Sequence, residues 1–188
     1  MIEAELKAGV RDPDSLHEQL RRLAVPEQSV YQDTYYDWPS GELSRTGREL
    51  RLRTVRTGSQ KCSLVTYKEA AVDLASGSKP EHETEVTDPG AIDTMLGGLG
   101  LEHYVIFEKR CTNYRFTAHG RAMLATVVIV PELDGTFIEL ETMTDPADTA
   151  AALADIRAVL SDLGITDDDL TTDQYTDAVL RQRHRARK

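Results

Sequence analysis

The chain opens with a segment, Met1 to Lys7, in which charged and apolar residues alternate. Successive side chains of a strand point to opposite faces, so Glu3, Glu5 and Lys7 would share one face of this strand. The solvated outer face of an edge strand would explain a single segment of this kind. The pattern constrains the fold because it recurs along the chain.

Five further segments show charged residues on one face: Glu49 to Arg53, Leu64 to Lys68, Glu81 to Val86, Phe107 to Arg110 and Phe137 to Glu141. Six such strands favour a closed barrel whose interior carries carboxylates and bases together. Burying these charges costs several kcal/mol each unless they are paired, hydrated or neutralised by a ligand. We therefore expect a ligand inside the barrel.

The length and net charge of the chain limit the number of domains and the kinds of partner that we expect. We expect the 188 residues to form one domain, and the net charge of −10 disfavours a nucleic-acid partner. The basic residues of the outer surface cluster in the tail 181–188, which we expect to be solvated and frayed. The chain starts in a charged strand instead of an apolar signal segment, and its apolar run 122–130 is too short to cross a membrane. Cys62 and Cys111 lack metal or redox spacing, so we expect a cytoplasmic protein with reduced thiols.

Capping residues and turn signals place the other elements. Helices are expected from Pro13 to about Ala24, over 89–99 and 146–163, and after Asp173, all packed outside the barrel. His119-Gly120 predicts a hairpin turn, and the loop 70–80 is either a mobile lid or a plain connection. The tyrosines of the strand 31–37 are expected to serve only in packing.

The ordered motifs resemble a known family. Glu3-Ala4-Glu5-Leu6-Lys7 is similar to the ExExK signature of the CYTH proteins, the triphosphate tunnel metalloenzymes that include class IV adenylate cyclases, thiamine triphosphatases and inorganic triphosphatases. The resemblance continues, over nearly the whole chain, through Asp33 to Asp37, Leu50 to Arg53, Tyr67-Lys68, Glu83-Thr84-Glu85, Lys109 with Tyr114, and Phe137 to Glu141. One ExE pair is common on strands, whereas the ordered set is specific.

This resemblance implies an α+β fold, mainly antiparallel: a closed, eight-stranded, tunnel-like barrel with helices outside. It implies a linear triphosphate as ligand and Mg²⁺ or Mn²⁺ as cofactor. The implied metal carboxylates are Glu3, Glu5, Glu139 and Glu141. The implied triphosphate ligands are Lys7, Arg51, Arg53, Lys68 and Lys109, to which we add Arg110. The candidate catalytic residues are Lys7, Glu83 and Glu85.

The implied chemistry agrees with the residue pattern. Hard divalent cations prefer carboxylate and phosphate oxygens, so the acids would hold the metal and the bases the phosphates. Phosphoryl transfer needs mainly positioning and charge stabilisation, so no Ser, Cys or His nucleophile is required. Lys7, surrounded by other cations, could lose its proton and activate the attacking oxygen.

Two positions depart from the family pattern. The motif K-x-R-x-x-Y has Cys111 at its arginine, with Arg110 on the opposite face. An L-D-x-V segment aligns with Leu124 to Val127, which puts Ala125 where a metal-linked aspartate is expected. These departures motivate a non-catalytic triphosphate binder as a third reading.

The other two readings are a class IV adenylate cyclase, which converts ATP to cyclic AMP and pyrophosphate, and a triphosphatase acting on tripolyphosphate, thiamine triphosphate or a nucleotide. The cyclase is placed first, and the sequence leaves a monomer and a homodimer open.

Overall fold

The strands form a closed barrel. The structure is a computed structural model that describes residues 2–72 and 79–187. Within these residues the strands are β1 (Ile2–Val10), β2 (Glu27–Asp37), β3 (Glu49–Thr57), β4 (Gln60–Lys68), β5 (Lys79–Glu85), β6 (Glu102–Ala118), β7 (Arg121–Ile129) and β8 (Thr136–Thr144). They close in the order β1-β5-β4-β3-β2-β6-β7-β8, and each neighbouring pair is antiparallel. The predicted closed eight-stranded barrel is confirmed.

The register directs the charged faces inward. In β1 and β8, Glu5 lies opposite Glu141 and Lys7 lies opposite Glu139. The turn between β6 and β7 falls at His119-Gly120, as predicted, with φ angles of 51° and 75°. Positive φ at both central residues is what a two-residue hairpin turn of type I′ requires.

Helices cover the outside of the barrel. They are α1 (Pro13–Arg21), α2 (Glu42–Arg45), α3 (Pro89–Gly98), α4 (Thr149–Asp162) and α5 (Tyr175–Ala186), with 3₁₀ turns at Pro146–Asp148 and Asp167–Asp169. The short α2 escaped the sequence analysis because four residues show no helical periodicity. Asp12 and Asp88 cap α1 and α3 by accepting hydrogen bonds from the backbone N–H groups of Ser15 and Ala91.

The main hydrophobic core lies outside the barrel. The outward residues of β1, β7 and β8 pack against α1 and α4, with Leu6, Ile138 and Leu140 meeting Leu20 and Ile156. A second cluster, on the outer face of β2 to β4, packs against α2 and α3. The apolar residues of β1 and most of those of β8 are thus buried under helices, while the charged residues of these two strands face the barrel interior.

The basic tail is helical up to Ala186, so the expected fraying is wrong there, whereas most of its residues are exposed to solvent as expected. Residues 181–186 belong to α5, where the Arg183 guanidinium donates to both carboxylate oxygens of Glu132 at 2.7 and 2.8 Å. The first turns of α5 pack at one end of the barrel, where Tyr175 and Val179 join the inward-facing Val128 and Phe137. We name this group, with Cys111, Val105 and Phe107, the apolar plug.

Residues 73–78, most of the loop that we considered as a lid, lie outside the described residues, and β5 already begins at Lys79. In the described part of the chain, none of the helices combines the length and apolar character needed to cross a bilayer.

Candidate functional site

The barrel encloses a cavity of about 470 Å³. It receives side chains from all eight strands and from the segment that leads into α5. The predicted site residues that line it are Glu3, Glu5, Lys7, Arg51, Arg53, Lys68, Glu83, Lys109, Glu139 and Glu141. The structure therefore brings ten of the predicted residues, from six strands, into one enclosed space.

Glu3, Glu5 and Glu141 form a three-carboxylate cluster, each offering an oxygen within 4.8 Å of the others. Burial raises the pKa of Glu5 to about 7, and the neighbouring Glu139 and Glu3 add to the effect. Burial, followed by Glu3 and Glu5, also holds the pKa of Glu141 well above its usual range. A group of acids that repel one another, with oxygen donors alone, fits a hard divalent cation.

Lys68 connects this cluster to a further carboxylate. Its ammonium lies 2.5 Å from Glu3 and 2.7 Å from Glu81. Burial opposes ionisation of Glu3, but the attraction of Lys68 outweighs it and lowers the pKa of Glu3. Burial raises the pKa of Glu81 to about 7. Glu81 was not selected as a site residue, although its position on the same strand face as Glu83 could have identified it.

Glu139 is not one of the three clustered carboxylates, but it is close enough to Glu5 to raise the pKa of that carboxyl. It accepts a hydrogen bond from Lys109 at 3.1 Å. Burial opposes its ionisation, and Lys109 and Lys7 outweigh that cost and lower the pKa of Glu139. Its expected role as a metal ligand stays a prediction.

The two arginines have different partners. Arg53 donates two parallel hydrogen bonds to the fully buried Asp33, both at 2.7 Å. Burial opposes ionisation of Asp33, but this pairing lowers its pKa to about 2. Arg51 donates to Thr66 at 3.2 Å and lies 3.7 Å from Glu83, while its buried Nε has no partner among the described residues. A buried guanidinium N–H without an acceptor is suited to an anionic oxygen.

Tyr175 of α5 lies against two of the cavity cations. The ammonium nitrogens of Lys7 and Lys109 are 4.4 and 4.3 Å from its ring centroid. The Lys7 ammonium also donates to the backbone carbonyl of Asp173. Burial, aided by Lys109, lowers the pKa of Lys7 despite the opposing acids Glu139 and Glu5. Tyr175 escaped the sequence analysis because it belongs to a helix outside the strand pattern.

Two predicted site residues lie outside the cavity. Arg110 points to the outer surface, where it pairs with Glu108 at 3.1 Å, because neighbouring strand residues face opposite sides and Lys109 takes the inner one. Glu85 is exposed near the end of β5, beyond the cavity. Neither is retained as a site residue.

Tyr35 packs as expected, stacked on Phe107 with ring centroids 5.7 Å apart. Tyr31 and Tyr35 also line the cavity, which the expectation of packing alone missed. The Arg53 guanidinium lies 4.5 Å from the ring centroid of Tyr31, and Asn113 donates to the Tyr31 hydroxyl at 2.9 Å. The alternation of residues 31, 33 and 35 in β2 could have revealed this inward face.

The two departures from the family pattern differ in kind. Cys111 faces inward within the apolar plug, where burial raises the pKa of its thiol to about 12. Ala125 instead points outward into the core beneath the helices. An acid there would not reach the cavity, so the inferred loss of a metal-linked carboxylate at position 125 is wrong. The inward residues beside it are Leu124 and Thr126.

Comparison with known proteins gives consistent matches. The family model described as "CYTH domain" matches residues 1–175. A protein of Methanocaldococcus jannaschii named "Putative adenylate cyclase MJ0240" is 25% identical over 178 residues, which cover 93% of this chain and 97% of that protein.

Solved structures share the fold. The PH1819 protein of Pyrococcus horikoshii OT3 superposes with a TM-score of 0.82 at 24% identity, covering 96% of this chain and 99% of that one. A Hippeastrum protein, "Putative adenylyl cyclase HpAC1", described as having a dominant triphosphatase activity, superposes with a TM-score of 0.61 at 18% identity. That match covers 88% of this chain and 89% of the Hippeastrum chain.

Proposed function

Because the chain belongs to the CYTH family, whose model matches residues 1–175, we propose that it is a divalent-metal-dependent adenylate cyclase that converts ATP to cyclic AMP and pyrophosphate. The observation that carries this proposal is the sorting of charge inside one cavity. A three-carboxylate cluster, Glu3, Glu5 and Glu141, lies in the same cavity as the buried cations Arg51 and Lys109 and the half-buried Lys68.

The carboxylates would bind the metal ion, and the cationic side chains would bind the phosphates. Glu3, Glu5 and Glu141 would hold Mg²⁺ or Mn²⁺, which when bound polarises phosphoryl oxygens and neutralises developing charge. Arg51, Lys68 and Lys109 would hold the phosphate chain, and the unpartnered Nε of Arg51 is a donor ready for it. Asp33 fixes the guanidinium of Arg53 at the edge of this site.

Lys7 is the proposed proton acceptor. Its lowered pKa favours the neutral amine more than an ordinary lysine does. In the cyclisation, the ribose 3′ oxygen attacks the α-phosphorus, its proton passes to Lys7 Nζ, and the bond from the α-phosphorus to the bridging oxygen breaks. Pyrophosphate leaves with that oxygen. Glu83 accepts a hydrogen bond from Thr66 at 2.8 Å and lies near Arg51, so it would position the arginine.

A triphosphatase reaction is the second candidate. The Hippeastrum protein, which shares the fold, is described as a dominant triphosphatase although it is named for a cyclase. In that reaction water, instead of the ribose oxygen, attacks the terminal phosphorus in the same cavity. A non-catalytic binder, motivated by the neutral Cys111, is the third.

A product assay separates the three. The protein is incubated with Mg²⁺ or Mn²⁺ and ATP, tripolyphosphate or thiamine triphosphate. Cyclic AMP with pyrophosphate supports the cyclase, and orthophosphate without cyclic AMP supports the triphosphatase. Tight binding of a triphosphate without turnover would support the binder and contradict both reactions.

A further inference from the structure

One part of the cavity wall is apolar. Val55, Cys62, Leu64 and Leu124 line the cavity from β3, β4 and β7 and are partly exposed to it. We name these four residues the apolar collar. Ordinary barrel packing does not account for them, because the apolar residues that fill the barrel interior belong to the plug at α5.

The collar borders the charged residues directly. Leu64 lies opposite Arg53 in the β3–β4 register, and Leu124 lies opposite Glu141 in the β7–β8 register. Side chains at directly opposed positions are about 5 Å apart at Cβ. A group attached to a triphosphate that is held by the charged residues would therefore come within reach of the collar.

The collar also lies toward the barrel end away from the plug. Val55 and Cys62 are opposed two positions before the end of the β3–β4 pairing at Thr57 and Gln60. The exposed residues Glu27 and Arg115 lie at this end of the barrel. On the three neighbouring strands β6, β7 and β8, Leu124 lies between Arg115 and Glu141, because it is directly opposite each of them. A triphosphate without an attached organic group would leave the apolar side chains of the collar in contact with water and would gain no binding free energy from them.

Neutral polar groups adjoin the collar. Tyr31 lies opposite Val55, and its hydroxyl accepts from Asn113, which in turn accepts from Thr126. Ser29 and Thr57 hydroxyls are 2.7 Å apart in the next row. A few fixed polar groups among apolar side chains are typical of sites for organic ligands.

From these placements we infer that the substrate is a triphosphate ester whose organic group, a nucleoside in the proposed reaction, binds against the apolar collar, and that inorganic tripolyphosphate is a poor substrate. This inference rests on the proposed triphosphate site and deepens it. A second cavity, beside α2 and α5, has a volume of only about 100 Å³. Ligand pockets usually exceed roughly 300 Å³, so the organic group is not expected in this small cavity. A larger cavity of about 670 Å³ adjoins the site and includes Leu124 of the collar in its lining.

The test compares ATP with tripolyphosphate in kcat/KM, at one metal concentration, for the wild type and for Leu64→Asn and Leu124→Asn. We expect the wild type to prefer ATP by about tenfold or more, and each variant to lose roughly tenfold on ATP while changing less than about twofold on tripolyphosphate. Ile129→Asn, on the exposed outer face of β7, is the matched control and should alter neither value.

Val55→Thr repeats the test with a side chain of the same shape, should an asparagine variant unfold. Equal or better use of tripolyphosphate by the wild type, or a parallel loss on both substrates, would overturn the inference and leave the triphosphate site standing. Failure of the wild type to bind either triphosphate would instead remove the proposed function and the inference with it. Thiamine triphosphate serves as a third probe. A kcat/KM for thiamine triphosphate above that for ATP would support the inference that the substrate is an organic triphosphate ester, but would contradict the proposed cyclase activity.

Discussion

Lys68 Nζ lies 2.5 Å from Glu3 Oε2, so a cation proposed to bind phosphate directly contacts a carboxylate proposed to bind the metal. The contact joins β4 to β1 across the interior, although 65 residues separate the two in sequence. The clustered carboxylates and the cations of the cavity therefore meet directly at the Lys68–Glu3 ion pair.

The adjacent residues Lys109 and Arg110 form a matched pair for triphosphate binding. Lys109→Ala removes a buried cation that lies in the cavity, so the affinity for ATP should fall by about 2–5 kcal/mol. Arg110→Ala removes a charge on the outer face and should leave the affinity within error. Isothermal titration calorimetry measures both. Equal losses in the two variants would place the phosphates elsewhere.

The metal requirement should depend more on Glu141 than on Glu139. Glu141→Gln weakens the three-carboxylate cluster and should raise the Mg²⁺ or Mn²⁺ concentration for half-maximal activity at least about tenfold. Glu139→Gln chiefly leaves Lys109 without its partner, so its larger effect should be on triphosphate affinity. Metal titrations at saturating substrate compare them. A larger metal shift for Glu139→Gln would reverse the assignment.

Metal affinity should rise with pH through the neutral range. The pKa of Glu5 is raised to about 7, so below that pH the cluster carries a proton that a cation must displace. The affinity for Mn²⁺ should increase from pH 6 to pH 8, with release of protons into the buffer. Calorimetry in buffers of different ionisation enthalpy counts those protons. An affinity that is flat over this range would contradict the raised pKa.

The Asp33–Arg53 pair should stabilise the fold at neutral pH. The pKa of Asp33 is lowered from 3.8 to about 2, and at about 1.4 kcal/mol per unit this corresponds to roughly 2 kcal/mol. Because the folded pKa is the lower one, this stability is complete above pH 3.8 and is lost as the pH falls toward 2.

Urea unfolding from pH 5 to pH 2 measures this loss. Asp33→Asn should flatten that part of the pH dependence, and Arg53→Ala, which leaves a buried carboxylate without its partner, should cost about 3–5 kcal/mol at pH 7. If Asp33→Asn kept the wild-type dependence of the free energy of unfolding on pH, other carboxyl groups would be responsible for that dependence.

Strand periodicity carried most of the fold prediction. The alternation in Met1 to Lys7 and in Phe137 to Glu141 fixes which residues share a face, and the pairing of β1 with β8 then puts Glu5 opposite Glu141. The same rule excludes Arg110, which the sequence analysis added to the triphosphate ligands although it lies on the face opposite to Lys109. The side of the strand on which a residue lies therefore decides whether it can reach the cavity, even where a neighbouring residue has the expected charge.

Other parts of the site depend on tertiary packing that periodicity does not report. Tyr175 contacts Lys7 and Lys109 from a helix. The position of β5 along the barrel determines that Glu81 lines the cavity and that Glu85 does not. The Asp33–Arg53 pair required the β2–β3 register, in which the two residues are directly opposed. These contacts join segments whose relative placement local sequence does not specify.

The location of the main core outside the barrel has a consequence for how such proteins can diverge. Leu6, Ile138 and their helical partners secure the fold without contacting the ligand space. Substitutions at inward positions outside the Asp33–Arg53 pair and the apolar plug can then exchange one substrate for another at less risk to folding, so a single architecture is able to diversify its chemistry over evolutionary time.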